Sequence, residues 1–146
     1  MQNLQILNKK QIKGILSLLE KQFSFKNNLD YVFLQNKEGK TFIVNKEIEN
    51  LSLNKLRINS IGMYFGKLEK DGIRLSMEGS QMIGKKANKN VVKINKKQVE
   101  EWLSGQDIKA EGFSGFVLIK HKNDFLGCGK AKGNKILNFV PKARRI

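Results

Sequence analysis

The chain has a single cysteine, a single histidine and a single proline. One cysteine excludes an internal disulfide, and one Cys with one His cannot make a zinc site of three or four paired ligands. A nucleophile with a histidine base would have to use His121, which sits in an apolar strand between Lys120 and Lys122 and has no triad partner in reach of sequence reasoning. The longest apolar runs, 31–34 and 116–119, fall far short of the ~20 residues of a membrane-spanning helix, and the polar start Met1-Gln2-Asn3-Leu4-Gln5 has no secretory pattern. The expected setting is the cytoplasm, away from membranes. Acidic residues are also scarce, 13 against 28 Lys and Arg in 146 residues, which gives a formal net charge of +15.

What is present is enough apolar material for a core: 40% of the residues, nine Phe among them. A wholly disordered chain is thereby excluded. Lysine supplies 24 of the 28 cations, and asparagine is frequent, a bias that base composition in a genome can produce without a ligand. Distribution says more. Residues 1–83 carry 13 cations and 8 anions, whereas residues 84–146 carry 15 and 5, so the shorter part holds two thirds of the excess. A polyanion facing the C-terminal part would account for that asymmetry.

The shift coincides with 84–90, Gly-Lys-Lys-Ala-Asn-Lys-Asn, a stretch with one apolar side chain in seven. It reads as a linker between a unit at 1–84 and one at 85–146. In the first unit, Ile12, Ile15, Leu16, Leu19 and Phe23 follow helical spacing. Strand runs 31–35 and 41–44 then flank a turn containing Gly39, and a second hairpin, 58–68 with 73–77, turns at Asp71-Gly72. The second unit opens with strand 91–94 and a helix capped by Asn95, with Val99, Trp102 and Leu103 inward and Gly105 as its stop. After a loop over 105–115 come strands 116–121, 125–132 and 135–140, which suggest a small barrel with one helix. Pro141 ends the last strand and leaves a basic tail, 142–146. The expected fold class is α+β.

Two segments echo one another, Leu7-Asn8-Lys9-Lys10-Gln11-Ile12 and Ile94-Asn95-Lys96-Lys97-Gln98-Val99. Both read as capping boxes, Asn at the cap and Gln three residues on. Lysines in a first helical turn oppose the helix dipole, and two cations beside free N–H groups form a phosphate site. Lys96 and Lys97, in the basic half, are candidates; for Lys9 and Lys10 solvation is the simpler account. The carboxylate pairs Glu47 with Glu49 and Glu100 with Glu101 are better explained by turns and a helix surface than by acid–base work. No phosphate-cradling glycine loop occurs. In Leu126-Gly127-Cys128-Gly129-Lys130 the glycines share one strand face, where a backbone or ligand can come close, and Cys128 is a small buried hydrophobe.

The runs 115–120, Phe125-Leu126-Gly127-Cys128-Gly129-Lys130 and 136–145, with its Asn-x-x-Pro-Lys-x-x-Arg ending, resemble a PUA domain. They are most similar to the PUA-like domain that ends the Sun/Fmu RNA cytosine-5-methyltransferases, and the resemblance covers roughly 89–146. Segments 41–47, 60–67 and 73–77 resemble the pre-PUA domain of the small Nip-type ribosome-biogenesis proteins. Together these resemblances imply a pre-PUA α/β unit followed by a PUA pseudo-barrel, and a non-catalytic protein binding structured RNA, such as ribosomal RNA or its precursor, in ribosome biogenesis or RNA modification. No stretch supplies the cofactor-binding domain or catalytic cysteine motif of the methyltransferases, so neither methyl transfer nor a cofactor is implied. Family and residues together nominate Lys130, Lys132, Lys142, Arg144 and Arg145 as one phosphate-binding rim beside Gly127 and Gly129, with Lys96 and Lys97 as a secondary contact. Phe125 and Phe139 read as core rather than as stacking platforms. The alternative is a protein-interaction module that works in trans with a separate RNA methyltransferase or a pre-ribosomal protein, in which case Met63, Tyr64, Phe65 and Met82 would form an exposed apolar patch.

Overall fold

The computed structural model describes residues 4–46 and 62–146. Strand β1 (Gln5–Ile6) is followed by helix α1 (Lys9–Phe23), then β2 (Tyr31–Gln35), β3 (Lys40–Asn45), β4 (Met63–Glu69) and β5 (Gly72–Leu75). Helix α2 (Met77–Gly84) precedes β6 (Val91–Lys93), α3 (Lys96–Leu103), β7 (Ile108–Lys109), β8 (Gly115–His121), β9 (Asp124–Lys132) and β10 (Lys135–Leu137). A 3₁₀ turn, Lys142–Arg144, closes the chain. The architecture is α+β, and the described residues form two five-stranded sheets. No helix among the described residues is long and apolar enough to cross a membrane.

Both expected capping boxes form. Asn8 Oδ1 accepts from the Gln11 amide while Gln11 Oε1 accepts from the Asn8 amide, each at 2.9 Å, and Asn95 with Gln98 repeats the arrangement at the same distances. Each box satisfies two backbone donors that an open helix end leaves orphaned. Helix α1 buries Ile15, Leu19 and Phe23 and ends at Ser24, in left-handed backbone.

The first sheet is antiparallel in the order β1-β2-β3-β4-β5, and β2 pairs with β3 in the expected hairpin. The second hairpin departs from expectation at its end. Strand β5 stops at Leu75 because Ser76 caps α2, its hydroxyl accepting from the Gly79 amide at 2.9 Å and donating to the Tyr64 carbonyl at 2.6 Å. The second sheet has the order β6-β8-β9-β10-β7, with β6 parallel to β8 and every other pair antiparallel. Two-residue strand β7 lies inside the segment expected to be loop, and among the described residues the edge strands β6 and β7 do not pair, so the barrel stays open.

Strand β8 is buried on both faces, which is why 116–119 reads as an unbroken apolar run. Phe116 and Leu118 enter a core that also holds Leu19, Phe23, Phe33, Phe65, Ile73 and Ile83, whereas Val117 and Ile119 join Trp102, Ile108, Ile136 and Val140. The larger core therefore draws on both sheets. The segment 84–90 is tied to that core. Gly84 is pressed against the Phe125 ring, the Asn88 amide donates to the Phe23 carbonyl at 2.8 Å, and the Asn90 side-chain amide donates to the Gln22 carbonyl at 2.8 Å. Hydrogen bonds from polar side chains and backbone hold this segment, and hydropathy does not register them.

Candidate nucleic-acid interface

The two glycines of β9 face α3. A β-carbon on Gly129 would lie 2.8 Å from both Trp102 Cη2 and the Leu137 carbonyl oxygen. The Ile136 side chain and the indole fill that space, and the indole Nε1–H donates to the Leu126 carbonyl at 3.1 Å. At Gly127 the backbone has φ +129°, and a β-carbon would meet only ordinary contacts with Met77 and Trp102. A register shift between Ile119 and Lys120 introduces the bulge that turns this stretch. Gly129 thus admits a side chain of its own protein, and Gly127 lines a groove.

The C-terminal cations follow from what holds the last residues. Asn138 is the organiser: its amide nitrogen donates to the carbonyls of Trp102 and Gln106, each at 2.8 Å, and its oxygen accepts from the Val140 amide at 2.7 Å. The segment expected to be a basic tail consequently folds back on α3. The Ile146 amide donates to the Leu103 carbonyl at 3.1 Å, and Arg145 Nε donates to the Val140 carbonyl at 3.1 Å. Lys142, Arg144 and Arg145 belong to this one docked turn.

The remaining nominated cations are divided. Lys130 and Lys132 project from the same face of β9, two residues apart. Lys130 Nζ lies 2.5 Å from Asp71 Oδ2 and 5.4 Å from the centre of the Phe116 ring. The hydrogen bond from Lys130 holds the Asp71 carboxyl below its usual range. Arg144 is likewise engaged, its guanidinium donating to Glu78 at the start of α2. Two of the five rim cations are therefore paired with carboxylates from the first half of the chain. Lys132 is exposed and stands opposite Lys135, which stands opposite Lys109, so three lysines align across β9, β10 and β7. Like charges directly opposed destabilise a sheet, and among the described residues only Asp107, 3.9 Å from Lys135, relieves this row. Lys109 and Lys135 escaped sequence reasoning because the register that aligns them depends on β7. Lys96 and Lys97 are exposed in the first turn of α3, which contains no acidic residue. They sit at the opposite end of that helix from the docked turn.

Between the halves runs a groove of about 530 Å³, to which Gly127 and Arg144 both contribute. Arg74, also missed by sequence reasoning, lies in it with its guanidinium carbon 4.6 Å from the Phe139 ring centre. Cys128 borders the groove, but burial pushes its thiol up to about 12, so it holds no nucleophilic thiolate at neutral pH. No group of three or more metal-ligating side chains occurs among the described residues, and Glu47 and Glu49 lie outside them. The apolar patch required by an interaction module does not form from its nominated residues. Phe65 is fully buried, Met63 and Tyr64 line the groove, and Met82 packs against the core.

Residues 89–146 match the family model of the methyltransferase RsmF PUA domain. That stretch is similar to a PUA-like domain. Among curated proteins, the chain is similar to ribosomal RNA small subunit methyltransferase F of Vibrio cholerae, with 30% identity over 92 residues, 62% of this chain and 20% of that protein. The same-named proteins of Aeromonas salmonicida, 30% identical over 90 residues, and Psychromonas ingrahamii, 30% identical over 98 residues, cover 60% and 65% of the chain. The chain spans about a fifth of the length of these relatives. Their aligned stretches are longer than the PUA-like domain, so the likeness reaches back into the first half.

Proposed function

We propose that this protein binds ribosomal RNA or its precursor without catalysing a reaction itself, acting in ribosome biogenesis or RNA modification. The PUA-like domain at 89–146 carries this reading, because it is also the part in which the excess positive charge is concentrated. On this reading residues 1–84 serve as a pre-PUA unit and residues 85–146 as the RNA-binding unit. Phosphates would be held by Lys132 with its neighbours Lys109 and Lys135, by Lys142, Arg144 and Arg145, and by Lys130. Such contacts orient an RNA and carry little sequence information. The helix start at Lys96 and Lys97 would take a further phosphate.

Salt dependence separates a localised site from general stickiness. Neutralising several phosphates releases their counterions, so the logarithm of affinity falls linearly with the logarithm of salt concentration. Lys132, Lys142 and Arg145 have no carboxylate partner among the described residues, and replacing all three with Ala should flatten the slope by about 0.7 to 0.9 per cation. Replacing Lys9, Lys13 and Lys21 of α1 should leave it nearly unchanged. Equal slopes in the two triple variants would refute the localised site.

A further inference from the structure

The groove between the halves has the chemistry of a base pocket. One wall comes from β4, β5 and the first turn of α2, the other from β9 and residues 139–144. Its volume, about 530 Å³, lies within the range of small-molecule sites. Met63, Met77, Phe139 and Val140 make it predominantly apolar, which suits neither a bare phosphate nor a metal ion. Its cations are Arg74 and Arg144, and its one lining carboxylate, Glu78, is already engaged by Arg144. Flat apolar surface beneath a cationic edge fits a nucleotide: a base needs the first, its phosphate the second.

The arrangement of Arg74 sharpens the assignment. Its guanidinium lies over the Phe139 ring and 3.7 Å from Glu69 Oε1, so a planar cation is held on an aromatic platform. Guanidinium planes and aromatic rings are the surfaces on which unpaired bases stack. Tyr64, half-buried in the same groove, is a phenol whose ordinary pKa near 10 already keeps it protonated at neutral pH, and burial raises it further against the opposing effect of Arg74. Its hydroxyl is available at neutral pH as a donor to a base edge.

We infer that this groove takes one unstacked base of single-stranded RNA, stacked on the Arg74–Phe139 pair with its phosphate at Arg144. The inference rests on the RNA-binding reading and adds to it a requirement for bases, where the rim requires only phosphates. A base-paired helix cannot deliver a base into the groove.

The test compares three probes of equal length at low salt: a labelled oligouridine, the same ribose-phosphate chain without bases, and a blunt RNA duplex. The oligouridine should bind about five- to a hundred-fold more tightly than the abasic chain and the duplex. Phe139→Leu, which keeps apolar volume and removes the ring, should reduce that preference to within about twofold and leave abasic affinity unchanged. Because this variant alters a partly buried residue, a second measurement uses the native chain: oligoribonucleotides carrying 4-thiouridine should photocrosslink to Met63, Tyr64, Met77 or Phe139. Equal affinity for the oligouridine and the abasic chain, or crosslinks confined to the β9–β10 lysines, would overturn the base pocket and leave phosphate binding standing. Failure of all three probes to bind would overturn the RNA-binding reading itself.

Discussion

Gly84→Ala tests whether the two halves share one core. Gly84 ends α2, and the Phe125 ring occupies the space of its missing side chain. A β-carbon there would lie 2.6 Å from Phe125 Cε1 and closer still to Cγ and Cδ1. Carbon atoms prefer a separation of about 3.5 to 4.0 Å, so roughly 1 Å of overlap must be absorbed. The ring cannot swing into solvent, since Phe125 is only 6% exposed. Overpacking of this kind costs about 1 to 3 kcal/mol, and the better helix propensity of Ala returns at most about 1 kcal/mol. A net loss of about 1 to 2 kcal/mol should lower the thermal midpoint by roughly 3 to 8 °C in a chain of this size. Phe125→Ala would remove the atoms in conflict, so the double variant should be more stable than the sum of the single changes by about 1 kcal/mol. Urea unfolding of the four proteins measures each quantity. A Gly84→Ala protein as stable as the original, with additive effects in the double variant, would show that α2 and β9 do not meet as described.

Cys128 should resist a thiol reagent at neutral pH until the protein is unfolded, and stoichiometric labelling of the native form would contradict its burial. Its folded-state pKa is raised, so the thiol's contribution to stability is complete below the unfolded-state value and is lost as pH rises toward about 12. Cys128→Ala should weaken the alkaline fall in stability above pH ~8.5, the ordinary thiol value. Replacing Lys96 and Lys97 with Glu should stabilise α3 by ~0.3 to 1 kcal/mol per site through the helix dipole while weakening RNA binding. A raised thermal midpoint with unchanged affinity would mean that these lysines are merely solvated.

Elements whose signal is local were legible. The capping boxes, the α1 stripe, the β2–β3 hairpin and the doubly buried β8 all follow from residues close in sequence. Helix α2 was not legible, because its glycines lower its helical propensity. One of them is required by contact: a β-carbon on Gly79 would run into the Phe65 carbonyl oxygen. The anchors of segment 84–90 were not legible, because they are hydrogen bonds to distant residues, such as that from Asn90 to Gln22, 68 positions earlier. The site was legible only in part. Charge concentration pointed to the C-terminal cations, but the pairing of Arg144 with Glu78 spans 66 residues, that of Lys130 with Asp71 nearly as many, and neither leaves a local pattern. The same distance hid the groove, whose walls come from both halves. The Gly-x-Gly strand illustrates an ambiguity of chemistry rather than of distance, since room for a ligand and room for an indole look alike in sequence.

Asp71 and Glu78 hold Lys130 and Arg144 in the geometry of an anion already bound. A phosphate arriving at either cation replaces a carboxylate rather than a loose counterion, so these two positions contribute less to salt dependence than exposed lysines do. On the proposed reading their contribution would be to selectivity. A disordered polyanion can satisfy the outer lysines in many arrangements, but only a backbone with phosphates at the spacing of the two displaced carboxylates can exchange both together. On the proposed RNA-binding reading, the first half of the chain would act as a template for the backbone admitted by the second, so that a protein of charge +15 would favour polyanions of matching shape.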